Sequence, residues 1–513
     1  MAFDSGIVAP LSGQRTGNNL RRASRYEFTP EARPAPAVKL SAPRAPATRF
    51  PDATNSADSQ LCRRGSEEAR KSTSARQTCR RSSMKKRTYR KRALQDVDIA
   101  ALALDLRSGR LVVAIDVAKV DMVAALTDGV PGPPRVLATV AWRNPTDNGE
   151  FLALLDTVRA SGLAVQIVME SSGTYGDVLR QQLVDRGFPV FRVSGKQTYD
   201  AREVYDGVPS VHDAKSAGII AKLHLDGQSA PWCAPTDDKR RLQASILQMD
   251  LHHEHYLRLV HKLEGYLARH WPEISVMLEL TSATLLAVLG RIGGPADLAR
   301  DTEAARRLMR GMSHGLMSDE KIDAVVRAAT TTAGVEMLAE ERAALMLLAS
   351  EAHRSLRAFK EAKTRVEALG ADGPARAIAP VVGRTTAAVL VTEVGDGREF
   401  ASVGAYLKAF GLNLKERSSG KHKGLLKLTK RGPSRARQYL WLATCRWLQK
   451  DRIARAWYEA KIARDGGRRA KAVTALMRKF AKALFHVARG VPLDSTKLFD
   501  LTRLRLSQAT APA

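Results

Sequence analysis

The sequence predicts an α/β domain over residues 105–230, a helical connector over 237–370 and a mainly α domain over 374–492, between a disordered basic arm (1–94) and a short tail (493–513). Three observations predict this order. In the first part, short apolar runs ending at carboxylates or turns alternate with helical spacing. In the second, strand signals almost vanish. The arm is poor in large apolar residues and rich in Pro, Ser, Ala and Arg, a composition that cannot offset chain entropy by burial. The length of 513 residues is itself right for about three domains plus tails.

Residues 1–95 carry 21 Lys/Arg against 7 Asp/Glu, including the run Arg80-Arg81-Ser82-Ser83-Met84-Lys85-Lys86-Arg87. Met84 offers an alternative start, which would make the arm an upstream extension. Order begins at Arg110–Asp116, an apolar strand closed by an acid, followed after a tight turn by a second strand from Asp121 to Leu126. A third buried strand, Ala164 to Met169, ends at Glu170, and Ser171-Ser172-Gly173-Thr174-Tyr175-Gly176 turns the chain into a helix. The strand Phe188–Val193 and a helix from Val211 to Leu223 extend the β/α alternation.

In the connector, Leu345, Leu348, Ala352, Leu356, Phe359, Val366 and Leu369 recur at steps near three and four, the pattern of a long helical hairpin or coiled coil. The stripe suits a core face better than a dimer seam. His252, His253, His255 and His261 sit among charged residues, which favours a solvated helix face over a metal site. The last domain opens with Ile378-Ala379-Pro380-Val381-Val382-Gly383-Arg384, a turn of helix-hairpin-helix type able to meet a phosphate. It ends on a helix striped by Val473, Leu476, Met477, Phe480, Leu484 and Val487, and only one loop interrupts its helices.

The charge balance narrows the partners. Lys+Arg 82 against Asp+Glu 53 leaves +29, a self-repulsion that a polyanion would relieve, so nucleic acid is expected. Cys62, Cys79, Cys233 and Cys445 are too scattered for a disulfide framework or a close zinc pair. With no long apolar span and no secretory leader, a cytoplasmic, nucleoid-associated protein is expected, with no membrane partner.

Two constellations carry chemistry. Asp116 and Glu170 close adjacent strands of an α/β sheet, and Asp213 sits at the start of a helix whose dipole suits a carboxylate. Oxygen ligands of this kind hold Mg²⁺ in phosphoryl-transfer sites, and the order strand, strand, helix is that of ribonuclease H-type nucleases. The second constellation runs from Lys415 to Arg437 and holds nine Lys/Arg and one acid. Within it Arg417, Lys421, Lys423, Lys427, Lys430, Arg431, Arg435 and Arg437 are the expected nucleic-acid contacts. Pro433 marks a helix start, and Arg435 and Arg437 at its positive end call for an anion. A solvated flexible loop is the alternative. A serine here would meet a cationic environment that stabilises an alkoxide and a phosphoryl transition state.

Together these residues resemble the DEDD-type insertion-sequence transposases, insertion-sequence family one-hundred-ten. The resemblance rests on Ala114-Ile115-Asp116-Val117-Ala118-Lys119, Met169-Glu170-Ser171-Ser172-Gly173-Thr174-Tyr175 and His212-Asp213-Ala214-Lys215-Ser216-Ala217. Downstream it adds Phe410-Gly411-Leu412, Arg417-Ser418-Ser419-Gly420 and Leu428-Thr429-Lys430-Arg431-Gly432, so that it spans about 110–490. It implies a RuvC-like (ribonuclease H-like) domain with a tetrad of acids, a helical connector and a domain bearing a nucleophilic serine. Asp116, Glu170 and Asp213 match three acids; the fourth position is Ser216, and Asp206 is the nearest acid to compensate, although a turn aspartate before Gly207 is the favoured role. Ser419, which precedes Gly420, matches the nucleophile better than Ser418. The resemblance further implies cutting and rejoining of DNA at element ends and target, divalent metal such as Mg²⁺, a structured noncoding guide RNA and a homo-oligomer, dimer or tetramer. A metal-dependent structure-selective nuclease would need the acids without the serine, and a non-catalytic nucleic-acid-binding protein only the charge.

Overall fold

In the computed structural model of the chain, the described residues are 90–171, 173–210, 212–419 and 422–504. Nearly all of the expected basic arm, residues 1–89, and the end of the tail lie outside them. Order starts before residue 94, however: Lys91–Arg92 forms strand β1, which pairs in parallel with a strand from the α/β domain.

The sheet continues with β2 (Arg110–Asp116), β3 (Asp121–Asp128), β4 (Val136–Arg143), β5 (Ala164–Glu170), β6 (Val190–Val193) and β7 (Ala230–Pro231), in the spatial order β1-β4-β3-β2-β5-β6-β7. β2, β3 and β4 form an antiparallel meander, while β2, β5 and β6 are parallel. Both faces of β2 are buried, which explains its uninterrupted apolar run. Leu111, Val113 and Ile115 face one core with Phe151, Leu155 and Leu183, and Val112 and Ala114 face another with Val168, Val193, Ile220 and Ala221. Helices 148–160 and 177–185 supply the first core, and helix Asp213–Leu225 covers the second. A mixed seven-stranded sheet of this kind is consistent with a ribonuclease H-like domain.

The connector is built on two long helices, Asp237–His270 and Ala339–Leu369. They run antiparallel: Arg365 bonds to Gln248 at 3.1 Å, Ser355 meets His255 at 3.2 Å and Glu341 lies 3.7 Å from His270. Five shorter helices between residues 274 and 330 pack at their far end. Leu345, Ala352 and Val366 are buried within the connector, so most of the apolar stripe is a core face, although Leu369 stays exposed. The histidines are dispersed: His253 stacks on Phe359 and His255 faces Ser355.

The C-terminal domain is mostly helical, around a core of Ile378, Tyr406, Phe410, Leu440, Trp447, Leu476 and Phe480. Helices Ala375–Val382 and Arg384–Val394 flank Gly383, whose φ of +85° makes the expected tight turn. The expected loop is instead a β-hairpin of β8 (Leu414–Ser419) and β9 (His422–Leu428). The motif pieces around 411 and 431 meet at its base, where Lys430 N–H donates to the Gly411 carbonyl at 2.9 Å and Thr429 N–H to that of Asn413 at 2.9 Å. Gly411, at φ +72°, lies too close to the backbone of Arg431 for any larger residue. Among the described residues, no helix is long and apolar enough to cross a membrane.

Candidate active site

Parallel pairing sets the first two acids side by side. Ile115 is in register with Met169, so the next residues, Asp116 and Glu170, leave the carboxyl ends of β2 and β5 together. Gly195, first residue of helix Gly195–Asp206, makes room for the second: a Cβ there would lie 2.5 Å from Glu170 Oε1. The absent side chain is therefore part of the cradle for this carboxylate.

Asp213 is the first residue of its helix, capped by His212 Nδ1, which accepts from Lys215 N–H at 3.2 Å. The preceding loop is fixed from inside. Lys215 is fully buried, and its Nζ lies 2.7 Å from Asp206 Oδ1 and donates to the carbonyls of Val208 and Ser210. Asp206 is thus the partner of a buried lysine, not a substitute for a missing acid. Ser216 is buried one turn after Asp213, its N–H bonded to the His212 carbonyl at 2.9 Å.

The three acids share one electrostatic field. The Asp116 carboxyl is pushed up to about 6, first by burial, then by the charges of Glu170 and Asp213, while Lys91 pulls it back. Asp213 is held below the usual carboxylate range, chiefly by a hydrogen bond from Lys91 Nζ at 2.6 Å, with burial acting the other way. Among the described residues, no three metal-binding side chains are gathered closely enough to hold an ion as they stand. The donors are nonetheless hard oxygens suited to Mg²⁺, and charge accumulation of this kind is what a divalent cation relieves.

The basic constellation divides into two. Lys427 and Lys430 are exposed, and Arg431 is exposed with its nearest acid, Asp200, at 3.7 Å. Arg435 instead bridges Asp250 at 2.6 Å and Glu393 at 2.8 Å, and Arg437 donates to the carbonyls of Gly432 at 2.6 Å and Phe410 at 3.2 Å. The anion expected for Arg435 is therefore supplied by the chain itself, and Arg437 braces the hairpin base. Lys421 lies outside the described residues, and for Arg417, Lys423 and Ser419 only the backbone is described: all three belong to the hairpin, with Ser419 closing β8 opposite His422. Ser418 Oγ donates to Glu416 Oε1 at 3.1 Å.

A polar crevice of about 690 Å³ is lined by Ser171, which follows Glu170, by Gly195, which cradles it, by Arg192 and Lys196, and, from the C-terminal domain, by Lys408. Sequence reasoning missed Lys91, which nothing local marks and which reaches Asp213 only through a tertiary contact, and the crevice cations Arg192 and Lys408.

Two family models match the chain: one described as a transposase of DEDD type from the IS110 group, over residues 113–272, and one described as transposase IS116/IS110/IS902 family, over 378–459. The chain is also 24% identical over 357 residues to a Streptomyces coelicolor protein described as insertion element IS110 uncharacterized 43.6 kDa protein, covering 67% of this chain and 87% of that one.

Proposed function

This chain belongs to the IS110 family of DEDD transposases, enzymes that act on DNA, and on that basis we propose that it cuts and rejoins DNA through Ser419, assisted by a divalent ion held by Asp116, Glu170 and Asp213. The observation that carries the reading is that Asp116 and Glu170 leave adjacent parallel strands together and that Asp116 is pushed up to about 6, first by burial and then by the charges of Glu170 and Asp213. A carboxylate so loaded is poised to bind a cation. The donor chemistry and the Gly195 cradle fit such an ion, which when bound supplies Lewis acidity and orients the scissile phosphate.

The chain's own residues then do the following. Ser419 Oγ loses its proton and attacks phosphorus; the new P–Oγ bond forms as the bond to the leaving deoxyribose oxygen breaks, and that oxygen takes up a proton. A hydroxyl from another strand reverses the step, so the bond energy is retained and no nucleotide cofactor is consumed. Lys427, Lys430 and Arg431, exposed on and beside the hairpin, bind flanking phosphates, and Lys421, Lys423 and Arg417 belong to the same basic stretch. The net charge of +29 leaves basic surface for a second polyanion, which supports a structured guide RNA that selects donor and target. Passing strands between two DNA ends calls for a homo-oligomer.

The test is a covalent adduct trapped on nicked suicide DNA and mapped by peptide. Ser419→Ala should abolish adduct and strand exchange with DNA binding intact, while Ser418→Ala should cost far less. An adduct at Ser418 reverses the assignment. Strand cleavage with no adduct in the wild type would instead leave a metal-dependent RuvC-like nuclease.

A further inference from the structure

Lys91 stands apart from the rest of the acidic site in both sequence and origin. It belongs to the two-residue strand β1 at the sheet edge, paired with Thr139, and reaches across 122 positions in sequence to place its ammonium 2.6 Å from Asp213 Oδ2. The same charge acts on Asp116, opposing the upward push of Glu170 and Asp213. One ammonium therefore sits in the field of two carboxylates, where it supplies half the charge of a divalent ion.

The pair is built to exchange. Lys91 and Asp213 are 42% and 53% exposed, and ion pairs open to water to this degree are weak. Lys91 also borders an open groove of about 990 Å³, lined besides by Arg90, Arg92, Asp96 and Lys222, so its ammonium is not enclosed. By contrast the pair between Lys215, in the helix that Asp213 opens, and Asp206, at the end of the preceding helix, is buried and closed.

We propose that Lys91 is a positioning residue of the acidic site, a resident counter-cation that holds Asp213 in place and gives it up to the divalent ion. The proposal rests on the metal reading above. It makes ion entry an exchange of charges: Asp213 is held by Lys91 before the ion arrives, and the ion must displace that cation to complete its ligand set.

The experiment titrates the full-length protein with Mn²⁺ at fixed pH and ionic strength, following free Mn²⁺ by electron paramagnetic resonance. Variants Lys91→Met, Lys91→Gln and Lys91→Arg are compared with wild type, and Asp116→Asn identifies binding at this site. Removing the competing charge should tighten Asp116-dependent binding about tenfold in the Met and Gln variants, while Arg should behave as wild type. Unchanged or weaker binding in both neutral variants, with Asp116 dependence intact, overturns the role of Lys91. Absence of Asp116-dependent binding in every protein overturns the metal reading itself, and the exchange with it.

Discussion

Asp116 and Glu170 leave strands that are hydrogen-bonded on both sides and packed between two cores, whereas Ser419 closes a ribbon of only two strands. The acids are fixed by everything around them. The hairpin is fixed at its root, where Gly411, Asn413, Thr429 and Lys430 cross and Arg437 clamps two carbonyls. A two-stranded ribbon has little stability of its own, so its geometry beyond the root depends on what binds it. The contrast separates two tasks in the proposed reaction: the sheet holds charge in a set place, and the hairpin would bring the serine to a substrate.

The largest expected effect strikes the sheet. Asp116→Asn should lower strand transfer by about 10³-fold while leaving DNA affinity unchanged, as measured with a labelled element end. Equal loss of binding would mean the carboxylate organises the fold and not the chemistry. Next comes Asp206→Asn, which strands the buried Lys215 ammonium and should cost about 3 kcal/mol in urea unfolding. Replacing both partners by apolar residues should recover much of that loss.

A smaller effect is expected with pH. The native Asp116 carboxyl titrates near 6, above its unfolded value near 3.8, so the native state binds more protons between these limits. Its stabilising contribution is complete below about pH 4 and is lost as pH rises through 6. Relative to Asp116→Asn, metal-free wild type should therefore lose on the order of 2 kcal/mol between pH 4 and 7. A constant difference across that range would show that the Asp116 carboxyl is neither buried nor crowded by like charges. The smallest effect falls on the hairpin: Lys427→Ala and Lys430→Ala should each lower the salt slope of DNA binding by about one. Arg435→Ala should leave that slope unchanged and destabilise the fold, since its partners are Asp250 and Glu393.

What could be read in the sequence follows the range of the forces involved. β2 and β5 announce themselves because burial on both faces demands apolar runs, and their terminal acids stand out against them. β4, Val136-Leu137-Ala138-Thr139-Val140-Ala141-Trp142, is rich in β-formers, but it lies between Pro/Gly-rich residues and a helix and ends on no acid that would set it apart. The hairpin was hidden by its charge, since the Lys and Arg that mark a nucleic-acid surface also mask strand propensity. For Arg435, the local argument that a helix start needs an anion was sound, and only the fold could show that the anion is a carboxylate of the same chain. Lys91 had no local signal at all.

The connector's two long helices go out and come back, with 271–338 enclosed between them. Its entry near Asp237 and its exit near Leu369 therefore lie at the same end, where Arg435 and Tyr439 fasten the C-terminal domain to Asp250. The length of this arm consequently does not set the spacing between the acids and the hairpin. Related chains could lengthen or shorten the outer loop-back by whole turns, altering how far it reaches, while the acids and the hairpin keep their mutual address.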